Sequence, residues 1–248
     1  MKIDLSGKRA IVCGASRGIG RAIAIGLAEA GAAVSICARG ATALEAARAD
    51  IAAYGHPTHA AACDLADEGQ IGAYVTAAAA ALGGIDILVN NASGFGQSDD
   101  EKGWGLSFGV DMLATVRASH AAIAQLKANK GCIINISSTA AFRASARSAP
   151  YGAIKAAIAH YTLSQAQMYA RDGVRVNCIA PGSIEFPGGV WDQRKTSNPD
   201  LYNRILRGIP FGRLGYPEEV ANVAVFLASP QAHWVTGQTI AVDGGQLL

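Results

Sequence analysis

Three side chains in the stretch SSTAAFRASARSAPYGAIK, residues 137–155, are spaced for acid–base chemistry: Ser138, Tyr151 and Lys155. A free tyrosine has a pKa of about 10, too high for a base near neutrality. A lysine four residues on lies one helical turn away, on the same face. Its positive charge favours the phenolate and lowers that pKa. Ser138 follows CIINIS, a β-branched, apolar run that reads as a strand. Taken singly, a serine at a strand end is a turn residue, and Tyr-x-x-x-Lys is a half-exposed helix face. The three together point to a site.

A second constellation, GASRGIG, occupies residues 14–20. Gly14, Gly18 and Gly20 follow an apolar run and open a helical segment. Glycines there let the backbone turn sharply and approach a pyrophosphate, whose charge the helix N-terminus favours. The spacing is G-x-x-x-G-x-G rather than G-x-G-x-x-G, and three glycines alone fit a tight turn with no ligand. The strand before and the helix after favour the ligand. The next strand ends in SICARG. An acidic residue at that point would bind the ribose 2′-hydroxyl of NAD, but here Ala38 and Arg39 stand instead. Arg39, with Arg17 in the glycine loop, suits a 2′-phosphate, so the sequence favours NADP(H) over NAD. The plain alternative is two solvated arginines.

These residues need elements to hold them. Apolar runs fall at 9–13, 33–37, 58–63, 85–89, 131–137, 174–180 and 238–242, and helical candidates near 18–30, 41–54, 67–82, 100–127, 150–171 and 217–228. Such alternation implies right-handed βαβ units. The fold class is therefore α/β: a Rossmann-like, doubly wound parallel sheet of about seven strands with helices on both faces. Runs without polar alternation suit strands buried on both sides. No linker or internal repeat interrupts the chain, and 1–248 reads as one domain. Residues 183–212 break the rhythm with Gly, Pro, aromatics and two short helical pieces, which suggests a lid or binding loop.

Composition narrows the function. Of 248 residues, half are hydrophobic, enough for one sizeable core, and the net charge of +2 gives no electrostatic case for nucleic acid or an acidic membrane. No apolar stretch reaches the ~18–20 residues of a membrane span. The N-terminal residues lack a signal-peptide pattern. Cys13, Cys37, Cys63, Cys132 and Cys178 show no C-x-x-C and read as buried free thiols in a reducing cytoplasm. The five histidines have no zinc-site spacing, so no metal is expected.

With GASRGIG, CDLAD (63–67), NNAS (90–93), Tyr-x-x-x-Lys (151–155) with a serine thirteen before the tyrosine, APG (180–182) and VTGQTIAVDGG (235–245), the chain resembles the short-chain dehydrogenase/reductase family over nearly its whole length. The resemblance implies a carbonyl reductase or alcohol dehydrogenase acting on a small organic substrate, with Tyr151 as acid/base. It implies that Lys155 also bonds the nicotinamide ribose and that Ser138 holds the substrate oxygen. The cofactor would meet Gly14, Ser16, Arg17, Gly18, Ile19, Gly20, Arg39, Asp64, Leu65, Asn90, Asn91, Ala92, Ser93, Tyr151, Lys155, Pro181, Gly182 and Ile184. It also implies a homotetramer.

Three positions depart from the family pattern. Ser93 stands for a glycine, Phe186 for the threonine that bonds the carboxamide, and Asp111 for the fourth catalytic residue, an asparagine. The departures keep open a catalytically weak dinucleotide-binding protein, and an NAD-dependent dehydrogenase is a further alternative. An enoyl reductase spaces its tyrosine and lysine more widely. Phe186, Trp191 and Tyr202 are candidates to stack a substrate ring, and Arg143, Arg147 and Arg194 to meet an anionic group. The alternative is a solvated rim with aromatics packed in the lid's own core.

Overall fold

In a computed structural model, residues 3–248 are described. Residues 1 and 2 of the expected 1–248 span lie outside them. Seven strands form one sheet: β1 (Arg9–Cys13), β2 (Ala33–Ala38), β3 (Thr58–Ala62), β4 (Ile87–Asn90), β5 (Cys132–Ile136), β6 (Arg175–Pro181) and β7 (Thr239–Val242). Their order is β3-β2-β1-β4-β5-β6-β7, and every pairing is parallel. The chain winds outward from β1 in one direction and from β4 in the other. The β1/β4 junction is thus the switch point, where such sheets open a crevice at their C-terminal ends.

Side chains alternate between the two faces with the period of a strand. Val12, Val34, Ile36, Val89 and Ile134 point to one core, where α1 (Gly18–Glu29), α2 (Ala41–Ala52) and α9 (Pro217–Ala228) pack. Ile11, Cys37, Leu88 and Ile133 point to the other, under α3 (Glu68–Leu82), α5 (Ala114–Asn129) and α6 (Ala149–Tyr169). The expected architecture is what forms, with helices on both faces. All five cysteines are free and buried. Cys13 and Cys37 are register partners across β1 and β2. Hydrogen bonding to Cys13, with burial, pushes the Cys37 thiol up, which suits a structural role.

Two differences from the sequence expectations have local causes. β4 starts at Ile87 rather than 85. Ahead of it, Asp86 keeps main-chain bonds to Arg9 O (2.8 Å) and from Cys132 N (2.9 Å), and its carboxylate also accepts from Arg9 N (3.0 Å) and Nε (2.6 Å), so side-chain bonds join the backbone pairing at the strand's entry. The helix expected over 100–127 is three pieces: α4 (Glu101–Leu106), a π-helical turn (Ser107–Leu113) and α5. Ala114 N bonds Gly109 O, five residues back. Such turns occur often at functional sites, and this one carries Asp111.

A polar layer crosses the sheet beneath the crevice. Asn90 Nδ2 donates to Asn135 Oδ1 (2.9 Å) and Ser119 Oγ (3.2 Å). Asn135 Nδ2 donates to Thr162 Oγ1 and Gln165 Oε1, both at 3.0 Å. These residues are all buried. The layer ties β4, β5, α5 and α6 into one frame, so the position of α6 is fixed by directional bonds as well as by packing. Asn135→Leu removes its centre and orphans several partners. Urea unfolding of that variant is expected to show a loss of at least about 2 kcal/mol, since each buried group left unpaired costs about 1–3 kcal/mol. A loss below about 0.5 kcal/mol would show that packing alone holds the frame.

Candidate active site

Helix α6 brings Tyr151 and Lys155 to the C-terminal ends of β4, β5 and β6. Pro150 in its first turn has a fixed φ suited to a helix start. Ser137 Oγ donates to the Lys155 carbonyl (2.7 Å), which pins that turn of α6 to the end of β5. The Lys155 side chain is 2 % exposed. Its Nζ donates to Ile136 O (3.0 Å), lies 2.9 Å from Asp111 Oδ1 and sits 5.6 Å from the Tyr151 ring centroid. The Asp111 contact is an ion pair, with no hydrogen-bond alignment at Oδ1. Burial alone would lower the Lys155 pKa. The Asp111 carboxylate, helped by Tyr151, outweighs it and raises the pKa above its ordinary value.

Asp111 is itself held on two sides. Its Oδ2 accepts from Gly94 N (2.7 Å), and its main-chain carbonyl accepts from Thr115 Oγ1 (2.7 Å). The carboxylate therefore links the loop after β4 to Lys155. That loop lies close on the α4–π backbone: a side chain on Gly94 would strike the Leu106 carbonyl, and one on Gly96 the Gly103 carbonyl. Phe95 takes a left-handed φ of 52° and sets its ring edge-on to Tyr151, 5.0 Å between centroids. Sequence reasoning missed Gly94, Phe95 and Thr115. The glycines of SGFG are the one trace of the tight loop in the sequence.

Ser138 caps a single 3-10 turn, Thr139–Ala141, and its Oγ accepts from Ala140 N (3.1 Å). That bond uses an acceptor site and leaves the hydroxyl proton free to donate. Ser138 and Tyr151 are part-buried, on the two segments that flank the crevice.

The glycine loop turns from β1 into α1. Gly14 has φ +77° and Gly18 φ +55°, both left-handed. A Cβ on Gly14 would come within 2.8 Å of Ala92 Cα, and one on Gly20 would clash with Gly14 O and the Asn91 amide. Asn91 Nδ2 donates to Gly14 O (2.7 Å) and locks the loop to the end of β4. Arg17, at the N-cap of α1, makes no side-chain cap bond, and no acidic residue lies in the first turn. The first-turn N–H groups are thus available to an anion. A dinucleotide pyrophosphate fits this cradle. Arg17 and Arg39 are exposed and in no ion pair among the described residues. Arg39 follows β2 directly; Asp64 and buried Leu65 follow β3, its neighbour. Ser93 Oγ accepts from Phe95 N (3.1 Å).

Pro181, the last residue of β6, and Ile184 beyond it are buried, and Gly182 N donates to Val242 O (2.9 Å). Phe186 does not stand free over the crevice: its ring covers Gly18, so a Cβ there would strike it. The next segment forms α7 (Val190–Ser197) and α8 (Pro199–Arg207). Arg194 lies over the Trp191 ring at 4.9 Å, and Tyr202 donates to Glu185 Oε2 (2.6 Å). The three aromatics thus have partners within this chain. Burial and the facing Arg147 lower the Arg194 pKa, so those two arginines lie near each other. Arg143 Nη2 donates to Leu248 O (3.3 Å). Among the described residues, no cluster of three or more His, Cys, Asp or Glu could hold a metal, and no helix is long and apolar enough to cross a membrane.

Known proteins resemble this chain in sequence and fold. A family model described as enoyl-(acyl carrier protein) reductase matches residues 14–246. The 3-oxoacyl-[acyl-carrier-protein] reductase of Vibrio harveyi is 38 % identical over 99 % of this chain and 100 % of its own length. The structure of a 7α-hydroxysteroid dehydrogenase with NADH and 7-oxo glycochenodeoxycholic acid has a TM-score of 0.92 at 34 % identity, covering 98 % of this chain and 96 % of that one. That of L-sorbose reductase from Gluconobacter frateurii with NADPH and L-sorbose has a TM-score of 0.91 at 31 % identity, covering 100 % and 99 %.

The buried pair sets a stability expectation. A lysine whose folded pKa is raised contributes stability fully at neutral pH and loses it only as pH climbs past about 10.4. Lys155→Met would strand a carboxylate in the interior, and thermal or urea unfolding at pH 7 is expected to show a loss of about 3–5 kcal/mol. Adding Asp111→Asn to Lys155→Met should recover most of it. If the double variant is no more stable than the single one, the charge pair is not what the fold relies on.

Proposed function

Because the chain belongs to the short-chain dehydrogenase/reductase family, we propose that it is an NADP-dependent oxidoreductase interconverting a carbonyl and a secondary alcohol on a small organic substrate. The observation that supports this reading is that Tyr151 and Lys155 share one face of α6, which Ser137 ties to the end of β5 next to Ser138, in a chain whose glycine turn has no room for a side chain at Gly14 or Gly20. A bound nicotinamide supplies or accepts the hydride. Tyr151 gives its proton to the oxygen as negative charge develops there, and takes it back in the reverse direction. Ser138 donates its free hydroxyl proton to the same oxygen and orients the substrate. Lys155 has three N–H donors; Ile136 O and Asp111 face it on two sides, which leaves one for a ribose hydroxyl. Phe95 presents an apolar wall against the Tyr151 ring.

The cofactor preference rests on this chain's own arginines, since one relative's structure holds NADH and another's NADPH. Among the described residues Arg17 and Arg39 have no acidic partner to neutralise them, so a 2′-phosphate between β2 and the glycine loop would find two guanidiniums free to bond it. A homotetramer accords with exposed apolar residues at several faces, among them Trp234 (90 % exposed), Phe211 (75 %) and Leu248 (98 %). Five unpaired thiols suit a reducing, cytoplasmic location. The 183–212 segment is proposed as the wall of the substrate site. The loss of the carboxamide-bonding threonine at Phe186 supports a second reading, a dinucleotide binder with weak or no turnover.

NADPH oxidation against a panel of reactive ketones and diketones separates the two. Tyr151→Phe is expected to keep NADPH binding and lose about 10²- to 10⁴-fold in turnover. Retained turnover would remove Tyr151 from its role, and no turnover by the parent on any carbonyl would favour the second reading. Fluorescence titration should show tighter NADPH than NADH binding, and Arg39→Asp should reverse the order. Equal affinity of the parent for both cofactors would refute the arginine assignment.

A further inference from the structure

We propose that Asp111 neutralises Lys155 and thereby biases this site toward carbonyl reduction, keeping Tyr151 a proton donor at neutral pH and confining alcohol oxidation to alkaline pH. The proposal rests on the reading of Tyr151 as the acid/base. The overall reaction balances as carbonyl plus reduced nicotinamide plus one proton giving alcohol plus oxidised nicotinamide. In the reducing direction, hydride reaches the carbonyl carbon, the O–H bond of Tyr151 breaks, and its proton goes to the oxygen. The reverse needs the phenolate. The ratio of phenol to phenolate at a given pH therefore sets how much of the enzyme is ready to act in each direction.

The geometry puts two opposite charges near that phenol. Lys155 Nζ is 5.6 Å from the Tyr151 ring, and its ammonium alone would favour the phenolate. Asp111 Oδ1 is 2.9 Å from that ammonium, with the carboxylate side chain fully buried. In a medium of low effective dielectric, two charges so close act on a third largely as a dipole. The lysine's pull on the phenolate is then mostly cancelled.

Other groups facing Lys155 do not restore it. From the end of β5 comes the Ile136 carbonyl, which is neutral, and the Ser137 hydroxyl just after it, also neutral, bonds the Lys155 main-chain carbonyl. From β6 comes Cys178, whose thiol burial pushes up, so that it stays protonated. From its own helix comes Tyr151 itself. Asp111 is the single carboxylate facing the lysine among the described residues, and it cannot swing away: Gly94 N holds its other oxygen at 2.7 Å. An asparagine here would keep a carbonyl oxygen for Gly94 and remove the charge. Asp111 is thus a positioning and charge-setting residue that works through Lys155.

The test is Asp111→Asn, read in two ways. First, ultraviolet difference titration of tyrosinate, with Tyr151→Phe subtracted in each background, isolates Tyr151 without any substrate. The Tyr151 phenolate is expected to form about one pH unit lower in Asp111→Asn than in the parent. Second, the alkaline limb of the alcohol-oxidation rate profile should move down by the same amount, raising the oxidation rate on that limb at a fixed pH by about tenfold. An unchanged titration, or a shift to higher pH, overturns the proposal, as does a shifted titration with an unmoved oxidation limb. If Asp111→Asn does not fold, Asp111→Ser is titrated in its place. Should neither protein turn over any carbonyl, the functional reading fails while the tyrosinate titration still decides whether Asp111 sets the charge at Tyr151.

Discussion

Burying a lysine ammonium is the constraint from which the rest of this site follows. Lys155 lies in the interior, and an unpaired charge there would shed its proton. The chain meets that cost with a carboxylate at 2.9 Å and a strand-end carbonyl at 3.0 Å. Both partners impose structure. Asp111 reaches inward from a π-helical turn between α4 and α5. Ile136 presents its carbonyl as the last residue of β5, beside Ser137 and Ser138. The charge pair, the π turn and the end of β5 thus form one interlocked object, and Tyr151 hangs on it from one turn earlier in α6.

The second constraint is close approach. Asn91 and Ala92 run so near Gly14 and Gly20 that no side chain fits at either glycine. The amide of Asn91 then stitches the loop after β4 to the loop after β1. The same loop, three residues on, is held by Asp111 through Gly94. Phosphate cradle and proton-transfer residues are therefore joined by one short segment, residues 91–95. A change at either end reaches the other through hydrogen bonds of 2.7 Å at both anchors. The Asn90–Asn135 layer beneath keeps this segment and α6 in register.

Much of this was legible in the sequence because it is periodic or local. The seven apolar runs became seven strands, with ends shifted by one or two residues, since burial on both faces requires continuous apolar chain. The glycine spacing and Tyr-x-x-x-Lys were legible because backbone clearance and helical phase act over a few residues. What stayed hidden depends on tertiary placement. Helical periodicity over 100–127 gives no sign of the π turn, whose extra residue turns Asp111 inward. Phe95 looks like a loop residue until α6 brings Tyr151 against it. Phe186 reads as a free aromatic for a substrate ring, whereas its ring lies on Gly18, 168 positions earlier in the chain. Asp111 was visible as a departure from the family pattern, but its direct pairing with Lys155 follows only from the fold.

The charge state of Lys155 is the point on which the account turns. With lysine-selective ¹⁵N labelling and Lys155→Met to assign the signal, the Nζ resonance reports directly whether the group is ammonium or amine. The account predicts one ammonium signal that persists from pH 6 to above the ordinary lysine value of about 10.4. A Lys155 signal that titrates to the neutral amine near or below pH 8 would contradict it, because Asp111 would then not be holding a charge in the interior.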